Sequence, residues 1–290
     1  MGELYSFLCA IFWASAVVLF KKTGETIRPI SLNLFKNSMT FVLILITMIL
    51  TGSTIFYRTS SYEYFMLIIS GVLGIGIADT IFFKSLNILG AGLQAIVDCF
   101  YSPLIIIMSY FILSERLQLL DIIGALLIIS AILLACVKPE KHKLTKKELA
   151  NGVFLGFISM VFMAIGIVMI KPILNNSPLL WAVEVRLIGG TVSLFLISYL
   201  MGYKKVLFAS FKPGKVWRQM LPGSFLGGYC GLILWMAGMK YTTASLASIL
   251  NQTSTIFIAI FAVMFLKETM SRNRLLGIII AMIGVFFVAI

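Results

Sequence analysis

Charge is what this 290-residue chain has least of: 12% of its residues are Asp, Glu, Lys or Arg, while 60% are hydrophobic. Soluble domains sit nearer about 25% charged and 45–50% apolar, so this chain cannot clothe a water-facing surface. Histidine is nearly absent. The one copy, His142, lies in a lysine-rich stretch, which leaves no buried base for a Ser–His or Cys–His relay. Cysteine is scarce too. Cys9, Cys99, Cys136 and Cys230 all fall inside apolar runs without a CxxC pair, which excludes a disulfide framework and a zinc site. No nucleophile, base or metal set converges within the apolar runs, so the chain is expected to be no enzyme and to need no cofactor.

Apolar runs dominate instead. Spanning a bilayer core takes about 20 apolar residues, and ten such runs can be counted: 3–20, 32–51, 65–85, 92–113, 118–137, 149–170, 179–201, 219–239, 243–266 and 271–290. Backbone groups in lipid must be paired internally, so runs joined by such short connections are helices. The longest gaps, 21–31, 52–64, 138–148 and 202–218, leave too little for an extramembrane domain. In the first run, Ala14-Ser15-Ala16 resembles a signal-peptide cleavage site. However, the start lacks a basic region and the apolar stretch continues to Phe20, so it reads as a first membrane helix.

The chain repeats itself. Shifted by 153, residues 71–137 align without a gap onto 224–290: Gly74 falls on Gly227, Ala91 on Ala244, Leu93 on Leu246, Glu115 on Glu268 and Gly124 on Gly277. A shift of 150 carries Phe12 to Phe162, Ala14 to Ala164, Lys21 to Lys171 and Lys36 to Arg186. Glutamate and lysine are not ordinary membrane letters, so these matches outweigh chance. The expected organisation is residues 1–137 as a first five-helix unit, 138–148 as a basic connecting loop, and 149–290 as a second unit. Because five is odd, the second copy must insert upside down. The expected fold is therefore an all-α integral membrane protein, ten transmembrane helices in two inverted repeats, the symmetry of many secondary transporters.

The formal charge of +12 belongs to this membrane pattern. Four basic residues (Arg58, Arg116, Lys171, Lys240) lie on the side that holds both termini, two (Lys36, Arg186) lie within runs, and the other seventeen of the 23 lie on the opposite side. Lysine and arginine set orientation and meet lipid headgroups, so no nucleic-acid partner is expected. The count places the rich side in the cytoplasm and the termini outside.

An ionisable residue inside a span is costly and by default functional. Asp79 in the third run and Asp98 in the fourth lie roughly 6–8 Å from the midplane, at about 1.5 Å per residue, on the same side. There they could share one proton or cation; alternatively each packs as a satisfied carboxylate. The repeat puts Asn251 at Asp98's place, inside the polar stretch Asn251-Gln252-Thr253-Ser254-Thr255. Its counterpart ends in Tyr101 and Ser102, followed by Pro103, which can bend the run. Two such belts facing one another make a substrate site, unless the hydroxyls merely bond back to their own helices. Trp13, Tyr101, Tyr229 and Trp235 could line a cavity or pack.

Other polar residues carry less. Asn33, Lys36, Asn37 and Thr40 form a stripe that must face the bundle, with Lys36 read as snorkelling to the interface. Glu184 lies roughly opposite Arg186 on its helix and is not expected to pair with it. Gly223, Gly227 and Gly231 form a small-residue face for helix contact. Glu115 and Glu268 stand at short turns, where each caps the helix that follows. These glycines, the two glutamates, Gly124, Gly277 and Pro103 are read as structural.

Phe12-Trp13-Ala14-Ser15 with Lys21, and Leu113-Ser114-Glu115 with Gly124, repeated as Leu266-Lys267-Glu268 with Gly277, resemble the EamA-type unit of the drug/metabolite transporter superfamily. The resemblance covers essentially the whole chain. It implies ten helices and secondary transport, often export of amino acids or related metabolites, through a cavity lined by helices 1, 3, 4, 6, 8 and 9. It also implies termini in the cytoplasm, opposite to the charge count. The expected partners are a small polar solute, membrane lipids and a coupling proton or cation, in a monomer or homodimer of the cytoplasmic membrane. A nucleotide-sugar or lipid-linked carrier would need basic residues reaching a diphosphate, and only Lys36 and Arg186 lie within runs. A non-transporting sensor or assembly subunit is the other alternative.

Overall fold

In the computed structural model, residues 1–113, 119–136, 144–202, 210–212 and 214–289 are described. Among them every regular element is a helix. We number the long helices α1 (Gly2–Thr23), α2 (Pro29–Thr51), α3 (Ser61–Leu89), α4 (Ala91–Leu113), α5 (Leu119–Cys136), α6 (Lys146–Val168), α7 (Leu179–Leu200), α8 (Trp217–Tyr241), α9 (Ala244–Leu266) and α10 (Arg272–Ala289). All but α5 and α10 are long and apolar enough to cross a membrane among the described residues. Helices α5 and α10, 18 residues each, pack chiefly on one another.

The sequence repeat is also a repeat of packing. Helix α3 lies against α6 and α7, and its counterpart α8 lies against α1 and α2. Three pairs, α2 with α7, α4 with α9 and α5 with α10, each join an element to its own counterpart, and so lie on the pseudo-two-fold axis. Matching irregularities reinforce the symmetry. Helix α3 widens to π-helical turns over Gly71–Ala78, and α8 does so over Ser224–Gly231, the same positions 153 residues on.

Small residues explain the close crossings at these widened turns. A Cβ on Gly227 would stand 2.6 Å from the Cβ of Ala16, and one on Gly223 would stand 3.1 Å from the Phe20 ring, so both let α8 close onto α1. Asn33 of α2 donates to the carbonyls of Ile75 at 2.8 Å and Gly76 at 3.3 Å in the widened part of α3. Gly124 and Gly277 are both buried, and the Gly124 carbonyl would lie 2.7 Å from a Cβ on Gly284, where α5 crosses α10.

Helices α4 and α9 are each broken partway, at Cys99–Phe100 and at Thr253. Pro103 sits in the first turn after the α4 break. Yet α9 breaks at the matching depth with Ile256 in the proline's place, so proline is not the common cause. What the two breaks share is cross-bonding. Thr255 Oγ1 donates to the Ala95 carbonyl at 3.2 Å, and the counterpart pair Ser102 and Ser248 meets Oγ to Oγ at 3.3 Å. Gln252 Nε2 also donates to the Asp98 carbonyl at 2.9 Å, satisfying an oxygen that the break releases.

The matched lysines have matched duties. Lys21 donates to the Asn87 carbonyl at 2.9 Å at the end of α3, and Lys171 donates to the carbonyls of Met239 and Thr242 at the end of α8. Glu268 departs from expectation: it caps the start of α4, not of α10, accepting from Ala91 N at 2.8 Å and Gly92 N at 2.9 Å. The reason is geometric, since the turn after α9 abuts the positive end of α4, where a carboxylate meets unpaired amides and the helix dipole together. Glu115 lies outside the described residues. Replacing Glu268 with alanine is expected to destabilise the protein by about 1–2 kcal/mol. Glutamine, which keeps one acceptor, is expected to lose roughly half of that, read as the thermal midpoint in detergent.

Candidate functional site

At the centre of the bundle lies a cavity of about 130 Å³. Its wall takes Trp13 from α1, Lys36 and Asn37 from α2, Asp79 and Phe82 from α3, and Asp98 and Tyr101 from α4. From the other half come Met160 and Met163 of α6, Arg186 of α7, Leu232 and Trp235 of α8, and Asn251, Gln252 and Ser254 of α9. Gly227 and Gly231, read from sequence as purely structural, also border it.

The polar groups sit on two levels. Lys36 and Asp98 are each the eighth residue of a helix that starts on the termini-distal side, and Arg186 and Asn251 are each the eighth of a helix that starts on the opposite side. At about 1.5 Å per residue each lies roughly 11 Å inside its end. Both belts thus reach the interior from opposite faces, as an inverted repeat requires.

Contacts distinguish these residues. Lys36 is not a snorkelling residue: it is 5% exposed, and its ammonium pairs with the Asp79 carboxylate. A counter-ion on the neighbouring helix removes any need to reach the headgroups. Asp79 is thus bonded to Lys36 and not to Asp98. Asp98 is buried and accepts instead from Gln94 Nε2 at 2.7 Å, and Gln94 Oε1 is in turn held by Ser85 Oγ at 2.5 Å. Two expected lining residues are engaged elsewhere. Ser102 faces Ser248 in the α4–α9 seam, and the Tyr229 hydroxyl bonds Thr47 Oγ1 at 2.6 Å.

Arg186, noted in the sequence as a basic residue within a run but not assigned to the site, stands on this wall. It is 1% exposed, its Nη1 meets the Met236 sulfur at 2.7 Å, and its guanidinium lies 5.3 Å from the centre of the Trp235 ring. Its Nε and Nη2 have no hydrogen-bond partner among the described residues. Both amide atoms of Asn251 are likewise buried without a partner. Glu184 makes no bond to Arg186, as its position on the helix predicts.

A second, larger hollow of about 810 Å³ opens on the termini-distal side. Lys21, Lys22, Lys215, Lys267 and Arg274 line it, against the carboxylates Glu25 and Glu268.

A multi-pass helical membrane protein whose two repeats meet around a central cavity bearing buried charged side chains has the build of a membrane transporter. The profile of the EamA-like transporter family matches residues 1–137 and 150–290, and the chain belongs to that family. An uncharacterized transporter of Archaeoglobus fulgidus is 23% identical over 284 residues, covering 97% of this chain and 95% of that protein. One from Methanothermobacter thermautotrophicus is 25% identical over 229 residues, covering 79% of this chain and 65% of its own length. A solved crystal structure superposes with a TM-score of 0.73 at 15% identity, over 99% of this chain and 95% of the other, which shows a shared fold. The cytoplasmic membrane is the expected location for transporters of this family.

Proposed function

We propose that the protein is a secondary active transporter with ten membrane crossings that moves a small polar metabolite, an amino acid or a related compound, by alternating access. The observation that carries this reading is the central cavity, bounded on its axis by the matching breaks of α4 and α9. Inverted repeats supply two equivalent closures, one for each side of the membrane, without a separate machine. Broken helices offer unwound carbonyls and side chains at mid-depth, where a solute must be held.

Size favours a small cargo. An apolar cavity of about 150 Å³ takes up one benzene-sized molecule, whereas pockets for drug-sized ligands measure about 300–1,000 Å³. The central space is nearer the smaller size, which favours a small solute over a nucleotide sugar. Asp98, with its carboxylate steadied by Gln94, is the group we assign to a substrate amine or to a coupling proton. We assign export on the charge bias, which puts the wide basic hollow on the cytoplasmic side, against the cytoplasmic termini that the family resemblance implies.

The test is flux in proteoliposomes. Uptake of radiolabelled small amino acids driven by a pH gradient is expected with the wild type and is expected to fall at least about tenfold in Asp98→Asn. Should Asp98→Asn transport at the wild-type rate, Asp98 is a packing residue. Binding without flux in the wild type would point to a sensor instead.

A further inference from the structure

We infer that Arg186 anchors a carboxylate on the transported solute, an assignment that rests on the transport reading above and names the chemistry at one end of its cargo. The guanidinium is buried to 1% exposure, borders the central cavity, and has two of its three nitrogens without a partner. A thioether and an indole face hold it in place, and the carboxylate whose charge reaches it, Asp79, is already bound to Lys36. Removing a cation from water without a counter-ion is costly, and a planar fork of donors suits a carboxylate better than any other small anion except phosphate.

The repeat explains why this cation has no carboxylate of its own. Shifted by 150, Lys36 falls on Arg186; shifted by 153, Asp79 falls on Leu232. In the first half the cation on α2 has its own carboxylate on α3. In the second half the cation on α7 faces a helix whose matching position is a leucine, and Leu232 borders the same cavity. The protein has therefore left one of two equivalent ion-pair places to be filled from outside.

Three further features agree. Asn251 stands at the same depth as Arg186 and offers an unused amide donor for a second oxygen. With Lys36 and Asp79 matched, the charges left on the wall are Arg186 and Asp98, opposite in sign, as a solute carrying both an amine and a carboxylate requires. The hollow outside holds five basic residues against two acidic ones, a field that concentrates anions.

Thermal unfolding of the full chain in detergent tests the assignment, with L-alanine, L-serine and propionate as carboxylate probes and L-alaninamide and ethanolamine as matched probes without one. At least one carboxylate is expected to raise the wild-type midpoint in a dose-dependent way, and the probes lacking it to have no effect. Arg186→Gln is expected to weaken that ligand at least about 30-fold, with Arg186→Lys intermediate because it keeps the charge and loses the fork. Leu232→Asp is expected to abolish the shift while leaving the ligand-free midpoint at or above wild type, so that lost binding cannot be laid to misfolding. The inference is overturned if no carboxylate shifts the wild type, if the amide or the amine binds as well as the acid, or if binding survives Arg186→Gln. Flux of a solute lacking a carboxylate would retain the transport reading and remove this one; carboxylate binding without flux would do the reverse.

Discussion

Replacing Asp79 with alanine is expected to cost the folded protein about 3–5 kcal/mol, whereas the double replacement Lys36→Met/Asp79→Leu is expected to keep most of the wild-type stability. Both side chains are buried, 6% and 9% exposed, and the ion pair joins α2 to α3. Forming such a pair away from water returns little net energy, because each ion gives up its hydration. Breaking it is a different matter, since Asp79→Ala leaves the Lys36 ammonium in the core with only the Phe83 ring at 5.4 Å. The double variant removes both desolvated ions and fills the space with apolar atoms. Thermal unfolding of the three proteins in one detergent is the measurement. A single variant as stable as the double would mean that Lys36 finds another acceptor and that the pair does not hold α2 to α3.

The asymmetry between this satisfied pair and unpartnered Arg186 marks the limit of what could be read from sequence. Hydropathy places the long helices because a bilayer demands uninterrupted apolar runs, and that demand is written residue by residue. The repeat was legible because glycines, lysines and glutamates at fixed offsets are improbable among apolar letters. Asp98, Asn251 and Gln252 stood out for the same reason. Pairing did not, because Lys36 and Asp79 are 43 residues apart and meet only through a helix crossing. The widened turns were hidden as well, since Gly71–Ala78 reads as any glycine-rich helix face until its carbonyls find Asn33. The cap made by Glu268 needed the knowledge that the turn after α9 abuts the start of α4. One signal was present and unused. Applying both repeat offsets to Lys36 and Asp79 together shows the second carboxylate replaced by Leu232.

The crossing that places Arg186 supplies a prediction whose sign is its strength. On helix propensity alone, glycine to alanine within a helix is stabilising by about 0.8–1 kcal/mol. For Gly71→Ala we expect the opposite, a loss of at least about 1–3 kcal/mol. A Cβ there would sit 2.0 Å from the Arg186 carbonyl oxygen and 2.8 Å from its carbonyl carbon. Those are backbone atoms of α7 and cannot rotate away, so the two helices must separate. Gly228→Ala makes a milder demand. Its Cβ would meet the Thr40 hydroxyl at 2.2 Å, a side-chain atom that can turn aside, and then Lys36 Cγ at 3.2 Å. Gly214→Ala serves as the control, its nearest neighbour being 4.0 Å away. Thermal midpoints are therefore expected to fall in the order Gly71→Ala, then Gly228→Ala, with Gly214→Ala unchanged. Because the residue displaced in the first case is Arg186 itself, Gly71→Ala is also expected to weaken a carboxylate ligand although it removes no side chain from the cavity. A site loosened by about 1 Å loses function readily. If Gly71→Ala instead gains stability, propensity has won, the close approach of α3 to α7 is not a feature of the folded protein, and the placement of the guanidinium at the cavity wall falls with it.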